Sequence, residues 1–162
     1  MANSEIERKF LIREGCLERI KEEAVESYRI TQGYICPGAG RTVRVRRRDD
    51  KAFLTIKTGA LPGHFARFEW EKEISLEDAE ALFSICPTGY IDKCRHIIPC
   101  TDGKHKWEVD EFFADNEGLV VAEIELEAED EAFEKPDWLG EEVTGIARYY
   151  NSALLANPYK DW

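Results

Sequence analysis

The amino-acid sequence predicts one α+β domain in which antiparallel strands close into a barrel, with charged side chains inside and helices outside. Two observations support this prediction. Several stretches alternate ionisable and apolar residues with a period of two, the period of a β-strand. Between them lie segments with helical spacing of apolar residues, and no repeat or linker divides the 162 residues. We therefore expect a single domain over residues 1–162.

The first strand-like stretch, residues 5–10, shows the feature that matters most. Its Glu5, Glu7 and Lys9 share one face, and apolar side chains take much of the other. Two acids about 7 Å apart on one face repel by roughly 2 kcal/mol at an effective dielectric constant of about 20. This repulsion suggests that the acids bind a cation and that the lysine binds an anion.

Two later segments have helical patterns. Residues 14–28 carry apolar side chains on one stripe and charged side chains elsewhere, which predicts an amphipathic helix. Ser75 begins a capping box, so a second helix is expected from there to Cys86, where Pro87 ends it. The C-terminal part is expected to be helical in two pieces around Pro136, the second covering residues 146–155.

The other segments read as strands. These are residues 28–35, 41–48, 53–57, 68–74, 90–98, 106–113 and 119–127, with turn signals at 37–40, 49–51 and Asp102-Gly103. Their charged faces sort by sign. Acids share faces at Glu69/Glu71, Glu108/Asp110 and Glu123/Glu125. Cations lie at Lys9, Arg44/Arg46, Lys57 and Lys93/Arg95.

Closing these faces inward gives a charged lumen, and unpaired buried charge is very costly, so the lumen needs ligands. Clustered carboxylates favour a hard divalent cation such as Mg²⁺ or Mn²⁺, and clustered Arg and Lys favour a polyanion. Together they predict a metal–polyphosphate site for phosphoryl transfer. An antiparallel sheet with acid–base pairs across its strands would sort charges similarly, and the spacing alone leaves that alternative open.

Composition limits the function classes. The net charge of −11 argues against general nucleic-acid binding. No apolar run is long enough to cross a bilayer and no signal segment begins the chain, so we expect a cytoplasmic protein without a membrane partner. The five cysteines are scattered, form no CxxC pair and are expected to be free thiols.

The segment Glu5-Ile6-Glu7-Arg8-Lys9 resembles the ExExK signature of the CYTH superfamily, the triphosphate tunnel metalloenzymes. This family includes class IV adenylate cyclases, thiamine triphosphatases and inorganic tripolyphosphatases. Further stretches follow in the family's order over nearly the whole chain: Gln32-Gly33-Tyr34, Val43-Arg44-Val45-Arg46, Thr55-Ile56-Lys57, Glu69-Trp70-Glu71, Lys93-Cys94-Arg95, Trp107-Glu108-Val109-Asp110, Glu123-Ile124-Glu125, and Val143-Thr144-Gly145 with Arg148-Tyr149-Tyr150-Asn151. The resemblance implies an eight-stranded antiparallel tunnel with flanking helices.

The resemblance also implies site roles. Metal ligands would be Glu5, Glu7, Asp110, Glu123 and Glu125. Phosphates would be bound by Lys9, Arg44, Arg46, Lys57, Lys93 and Arg95, with Arg148 at the tunnel mouth. Glu69, Glu71 and Glu108 would line the tunnel. Lys9 or Lys93 would donate the proton to the leaving group, and turnover would require Glu125.

The expected activity is hydrolysis of a triphosphate, inorganic tripolyphosphate first, to diphosphate and phosphate with Mg²⁺ or Mn²⁺. The chain looks most like the small bacterial tripolyphosphatase-like branch. Adenylate cyclase and thiamine triphosphatase activities remain alternatives, with ATP or thiamine triphosphate as substrate. A non-catalytic module that binds polyphosphate or nucleotide is the alternative from another class. The protein is expected to be a monomer or a homodimer.

Overall fold

A computed structural model describes residues 6–38, 40–58 and 68–162, and these residues form nine β-strands and three α-helices. The strands are β1 (Ile6–Ile12), β2 (Glu26–Gly38), β3 (Arg41–Arg48), β4 (Lys51–Thr58), β5 (Glu69–Ile74), β6 (Tyr90–Pro99), β7 (Lys106–Phe112), β8 (Val120–Leu126) and β9 (Leu139–Glu142). The helices are α1 (Leu17–Glu23), α2 (Leu76–Ser84) and α3 (Asn151–Ala156). In the part of the chain described, no helix is long and apolar enough to span a membrane.

All nine strands belong to one antiparallel sheet with the order β5-β4-β3-β2-β6-β7-β8-β1-β9. The N-terminal strand β1 pairs with β8 and β9, so the two ends of the sequence meet in the sheet. The sheet curls so that side chains from β1 to β8 line one interior cavity. The predicted antiparallel tunnel fold is therefore confirmed, with nine strands instead of eight.

The outer face of the sheet carries the largest apolar cluster. Phe10, Trp107 and Ile124 point outward from β1, β7 and β8, and they pack against Ile20 of α1 and against Trp138. Trp107 and Trp138 meet edge to face at 5.6 Å between ring centroids, a geometry that contributes about 0.5–1.5 kcal/mol beyond the buried area. Because the apolar residues of the alternating strands pack outward, the charged residues point inward.

Helix α2 covers another part of the outer face. Its N-cap Ser75 accepts a hydrogen bond from the backbone N–H of Asp78 at 3.0 Å, which confirms the predicted cap. Ala79 of α2 packs on Val45 and Ala52. Beyond the helix, Cys86 approaches Gly33 of β2 so closely that a Cβ at Gly33 would lie 2.7 Å from the Cys86 Sγ atom.

The C-terminal segment packs against inward-facing apolar residues. Phe112 and Val121, which point inward from β7 and β8, form a cluster with Val143, Tyr149 and Leu154. This apolar cluster borders the charged cavity, whose lining also includes Tyr150 and Asn151. The C-terminal segment therefore contributes both packing and polar lining to the interior.

Two element predictions were wrong. The helix predicted over residues 14–28 ends at Glu23, because Val25 donates to the Ile97 carbonyl and Tyr28 packs with Ile97 as part of β2. The apolar residues in the last part of that segment fit the strand period of two as well as the helical period of about 3.6, so their spacing does not show where the helix ends.

The helical piece predicted before and after Pro136 is instead an irregular segment followed by β9, which pairs with β1. Residues 146–155 form a 3₁₀ turn at Ala147–Tyr149 and then α3. All five cysteines are free, as expected.

Candidate functional site

The interior holds a cavity of 770 Å³ to which β1 to β8 each contribute side chains. Twelve of the predicted site residues line it: Glu7, Lys9, Arg44, Arg46, Lys57, Glu69, Glu71, Lys93, Arg95, Glu108, Glu123 and Glu125. Glu5 lies outside the described residues. The period of two therefore identified most of the lining correctly, because inward-facing residues of a curved sheet share one enclosed space.

The charges divide the cavity into two parts. Most cations project from the two strands that flank β2. Arg44 and Arg46 lie on β3, and Lys93 and Arg95 lie on β6. Most acids project from β1, β7 and β8, namely Glu7, Glu108, Glu123 and Glu125; Lys9 lies among them on β1, and Glu69 and Glu71 of β5 lie on the basic side. Because β6 pairs with β7, the basic and acidic parts meet along this pair of strands.

Asp110 joins two of the cations at that boundary. Its carboxylate accepts from Lys93 Nζ at 2.8 Å and from Arg95 Nε and Nη2 at 2.7 and 2.9 Å. Asp110 and Lys93 are each 1% exposed. Both carboxylate oxygens are thus occupied by cations, and Asp110 is not among the residues that line the cavity. In this arrangement Asp110 anchors Lys93 and Arg95, and its role as a metal ligand stays a prediction.

Burial and charge shift the pKa values of this cluster in different directions. Burial opposes ionisation of Asp110, yet Arg95 and Lys93 together hold its pKa well below the usual value. Burial also acts against the Arg95 cation, but attraction to Asp110 and Glu108 raises the pKa of Arg95. For Lys93, burial prevails over attraction to Asp110 and lowers its pKa to about 8. One carboxylate shared by two cations cannot fully compensate both.

Arg44 has an unsatisfied donor inside the cavity. Its Nε is buried and has no hydrogen-bond partner among the described residues. Its Nη2 lies 3.4 Å from the Thr55 hydroxyl and 3.9 Å from a Glu71 oxygen, which are weak contacts. An unpaired buried guanidinium N–H costs about 1–3 kcal/mol or more, so Arg44 is held in the folded protein without full compensation by protein groups.

The acidic part contains two pairs of facing carboxylates. Glu7 is the register partner of Glu125, and Glu108 is the register partner of Glu123. Directly opposed like charges destabilise a sheet unless cations compensate them, and here Lys9 lies 3.4 Å from Glu123 and Arg95 pairs with Glu108. Such oxygen donors fit a hard divalent cation. In the described ranges no three acidic, His or Cys side chains form a complete metal cluster, and Glu5 is not described.

Several polar lining residues had no assigned role from the sequence. Gln32, Tyr34, Thr144, Tyr150 and Asn151 all line the cavity. Tyr150, expected to pack, has its ring centroid 4.7 Å from Lys9 Nζ. The signal for Gln32 was its polar side chain at an inward strand position. Asn151 gave no comparable signal, because it lies on a short helix whose docking depends on the tertiary fold.

Arg148 does not line the cavity. Its guanidinium carbon lies 4.4 Å from the ring centroid of Trp162 and 5.1 Å from that of Tyr149, and its Nη2 donates to the Tyr149 hydroxyl at 3.2 Å. These contacts attach the C-terminal end of the chain to the preceding turn. Arg148 thus has a packing role in this structure, and its contact with phosphate at the tunnel mouth stays a prediction.

Comparison with known proteins agrees with this fold and this cavity. The sequence-family model described as the CYTH domain matches residues 3–151. The chain therefore belongs to the CYTH family.

Two curated relatives carry the name inorganic triphosphatase. The one from Acetivibrio thermocellus is 44% identical over 98% of this chain and 97% of its own length. The one from Nitrosomonas europaea is 32% identical over 93% of this chain and 96% of its own length. A solved structure of an inorganic triphosphatase is 30% identical, with a TM-score of 0.66 over 94% of each chain.

Proposed function

We propose that the protein is a divalent-metal-dependent inorganic triphosphatase, which hydrolyses tripolyphosphate to diphosphate and phosphate. The observation that carries the proposal is one cavity in which the cations Arg44, Arg46, Lys93 and Arg95 lie beside the facing carboxylates of β1, β7 and β8. The names of the two curated relatives support the same activity. Triphosphatases of this family depend on a metal.

In this proposal the basic part binds the phosphate chain. Arg44 and Arg46 of β3 supply guanidinium N–H groups, and Lys57 adds a charge from β4. Lys93 extends the cationic surface from β6, and Lys9 extends it from β1. Arg95 contributes less than the other cations, because Asp110 and Glu108 accept from its N–H groups and compensate much of its charge.

The carboxylates Glu7, Glu123 and Glu125 would hold Mg²⁺ or Mn²⁺, together with Glu5. When bound, the metal neutralises phosphate charge and lowers the pKa of a coordinated water. The antiparallel pairing of β1 with β8 holds two of these acids in facing positions, because Glu7 and Glu125 are register partners. Glu69 and Glu71 line the cavity from β5 and would orient the cations.

The reaction needs one proton for the leaving group. Water attacks the terminal phosphorus, the bridging P–O bond breaks and diphosphate takes a proton from the donor; the water oxygen stays on the released phosphate, and one proton of the water passes to solvent, from which the donor is reprotonated. Lys93 carries a proton at neutral pH, and its pKa of about 8 makes that proton easier to transfer than that of an ordinary lysine. Lys9, which also lines the cavity, is the other candidate donor.

The test is phosphate release from tripolyphosphate, thiamine triphosphate, ATP and pyrophosphate, each with Mg²⁺, with Mn²⁺ and with a chelator. We expect metal-dependent hydrolysis of tripolyphosphate that exceeds hydrolysis of the other three compounds. Cyclic AMP formed from ATP would favour the cyclase alternative. Binding of tripolyphosphate without turnover in either metal would contradict the enzyme and leave the non-catalytic module.

A further inference from the structure

Gln32 is a buried amide in the basic part of the cavity. It lies on β2, is 1% exposed and lines the cavity beside Tyr34. It is the register partner of Arg46 on β3. Its register partner on β6 is the apolar Ile91, so Arg46 is the charged group directly opposite Gln32 in the sheet. The role of Gln32 follows from the groups that it contacts.

The Gln32 carbonyl oxygen Oε1 accepts two hydrogen bonds from the Arg46 guanidinium. The distances are 2.9 Å to Nε and 2.7 Å to Nη2. Two bonds to one oxygen fix both the position and the plane of the guanidinium group. They occupy one edge of the fork and leave the Nη1 donors of Arg46 for another acceptor.

Tyr34 fixes the orientation of the Gln32 amide. The amide nitrogen Nε2 donates to the Tyr34 hydroxyl at 3.0 Å, and Tyr34 is itself buried. Since the nitrogen needs an acceptor and Arg46 offers only donors, Oε1 must face Arg46. The contact is therefore defined by chemistry at both ends of the amide.

The contrast with Arg95 shows what the neutral amide achieves. Arg95 is held by carboxylates, with Asp110 on Nε and Nη2 and Glu108 on Nη1, so its charge is largely compensated within the protein. No carboxylate among the described residues forms an ion pair with Arg46. Gln32 thus supplies the geometry that Asp110 supplies to Arg95, without supplying a negative charge.

An uncompensated enclosed cation is costly to the folded protein. Burial lowers the pKa of Arg46 to about 10, and repulsion from Arg44 and Arg95 adds to the effect, although the group stays charged at neutral pH. A protein gains from such an arrangement when an anion from solution provides the missing charge. Arg44, which also lies on β3 and lines the same cavity, is likewise not fully compensated, because its Nε has no hydrogen-bond partner among the described residues.

We propose that Gln32 is a positioning residue that holds Arg46 as a fixed, uncompensated cation for the phosphate chain. The inference rests on the proposed function, because it requires that the cavity bind tripolyphosphate. Its distinctive claim is that the neutrality of residue 32 matters as well as its shape. A carboxylate of the same length would keep the contact with Arg46 but compensate the charge that the substrate needs.

The experiment compares Gln32→Glu, Gln32→Met and the unaltered protein in steady-state hydrolysis of tripolyphosphate. Thr31→Glu is the matched control, since it adds the same charge on the outer face of the same strand, next to Arg47 in register. We expect Gln32→Glu to raise KM roughly tenfold or more, because it compensates the cation. We expect Gln32→Met to raise KM about threefold, because Arg46 stays charged but loses its anchor.

Two results would overturn the inference: a KM for Gln32→Glu within about twofold of the unaltered protein, or an equal rise in Thr31→Glu. Circular dichroism and thermal unfolding establish that each variant is folded. If Gln32→Glu does not fold, the Gln32→Met variant decides, and an unchanged KM in it overturns the inference. Failure of the unaltered protein to hydrolyse tripolyphosphate would instead contradict the proposed function, so the two failures are distinguishable.

Discussion

Asp110 is the residue on which the basic part of the cavity depends most. It is the only carboxylate that contacts both Lys93 and Arg95 among the described residues, and Lys93 is as deeply buried as Asp110 itself. Removing one member of a buried ion cluster leaves the others charged and uncompensated, which costs more than the net stabilisation that the cluster provides. We therefore expect that removal of the Asp110 charge lowers the stability of the folded protein more clearly than it changes catalysis.

We predict that Asp110→Asn lowers the free energy of unfolding by about 3–5 kcal/mol, measured by urea denaturation. The matched control is Asp115→Asn, which breaks the exposed pair with Lys160 and should cost less than about 1 kcal/mol. Equal losses in the two variants would contradict the assignment of Asp110 as a buried anchor.

Glu125 tests the acidic part at the same scale. We predict that Glu125→Gln lowers turnover of tripolyphosphate by roughly a hundredfold or more while the fold is retained, because an amide is a poorer ligand for a hard cation than a carboxylate. Glu127→Gln makes the same chemical change just beyond the end of β8, where Glu127 pairs with Lys104, and should leave turnover unchanged. Native turnover in Glu125→Gln would exclude Glu125 from the site.

Among the structural elements, the β6–β7 hairpin and the segment after β8 are joined by an imidazole. His105 Nδ1 contacts Asp102 at 2.5 Å, and His105 Nε2 contacts Glu131 at 3.0 Å. Lys104 also pairs with Glu131. Hydrogen bonding to Asp102 and Glu131 raises the pKa of His105, although burial opposes the shift. The protonated imidazole can donate to both carboxylates, whereas the neutral form can donate to only one.

The raised pKa of His105 sets the direction of a pH dependence. A raised pKa in the folded state means that the stabilisation is fully present below the unfolded pKa of about 6.5 and is lost as pH rises through the folded value. We therefore predict that His105→Gln lowers the free energy of unfolding more at about pH 5.5 than at about pH 9. These two conditions lie below and above the unfolded pKa of about 6.5. Urea unfolding of both proteins at both pH values measures this, and equal differences would contradict it.

Helix α3 belongs to the cavity through its first residue. Lys93 Nζ donates to the Asn151 side-chain amide oxygen Oδ1 at 2.9 Å, so the helix supplies a neutral acceptor to a buried ammonium group. We predict that Asn151→Ala lowers turnover by roughly tenfold, because a lost acceptor for a buried donor costs about 1–3 kcal/mol. Asn157→Ala at the other end of α3 is the control and should keep native turnover. Equal activities of the two variants would contradict a role for Asn151 in holding Lys93.

For the whole molecule, the cavity concentrates cations whose mutual repulsion a polyanion would relieve. We predict that tripolyphosphate raises the melting temperature in the presence of a chelator, where hydrolysis is prevented. At a concentration of about 100 times Kd the stabilisation is about 2.7 kcal/mol, which corresponds to roughly 5–10 °C for a protein of this size. Sodium chloride at equal ionic strength is the control. An unchanged melting temperature would contradict anion binding in the cavity.

The sequence predicts the cavity lining better than it predicts the element boundaries or the charge pairing. Alternation assigns Glu7 or Arg44 to the inner face without knowledge of the partner strand, because the strand period depends only on the local backbone. Strand β9 escapes prediction because Leu139–Glu142 is short and does not alternate. The partner of a charged side chain depends on register between distant strands, which is why the contacts of Asp110 with Lys93 and Arg95 could not be predicted from the sequence.

The pairing of β1 with β8 has a consequence for how the protein is made. Strands β2 to β6 follow one another closely, so the cation-bearing walls can assemble from neighbouring parts of a chain that is still being synthesised. Glu7 emerges early but meets Glu125 only after β8 has left the ribosome. A nascent chain therefore presents its arginines before their acidic counterparts are in place. An intermediate that lacks β8 therefore carries an excess of cations on the inner face of its sheet, and pairing of β8 with β1 completes the acidic part of the lining.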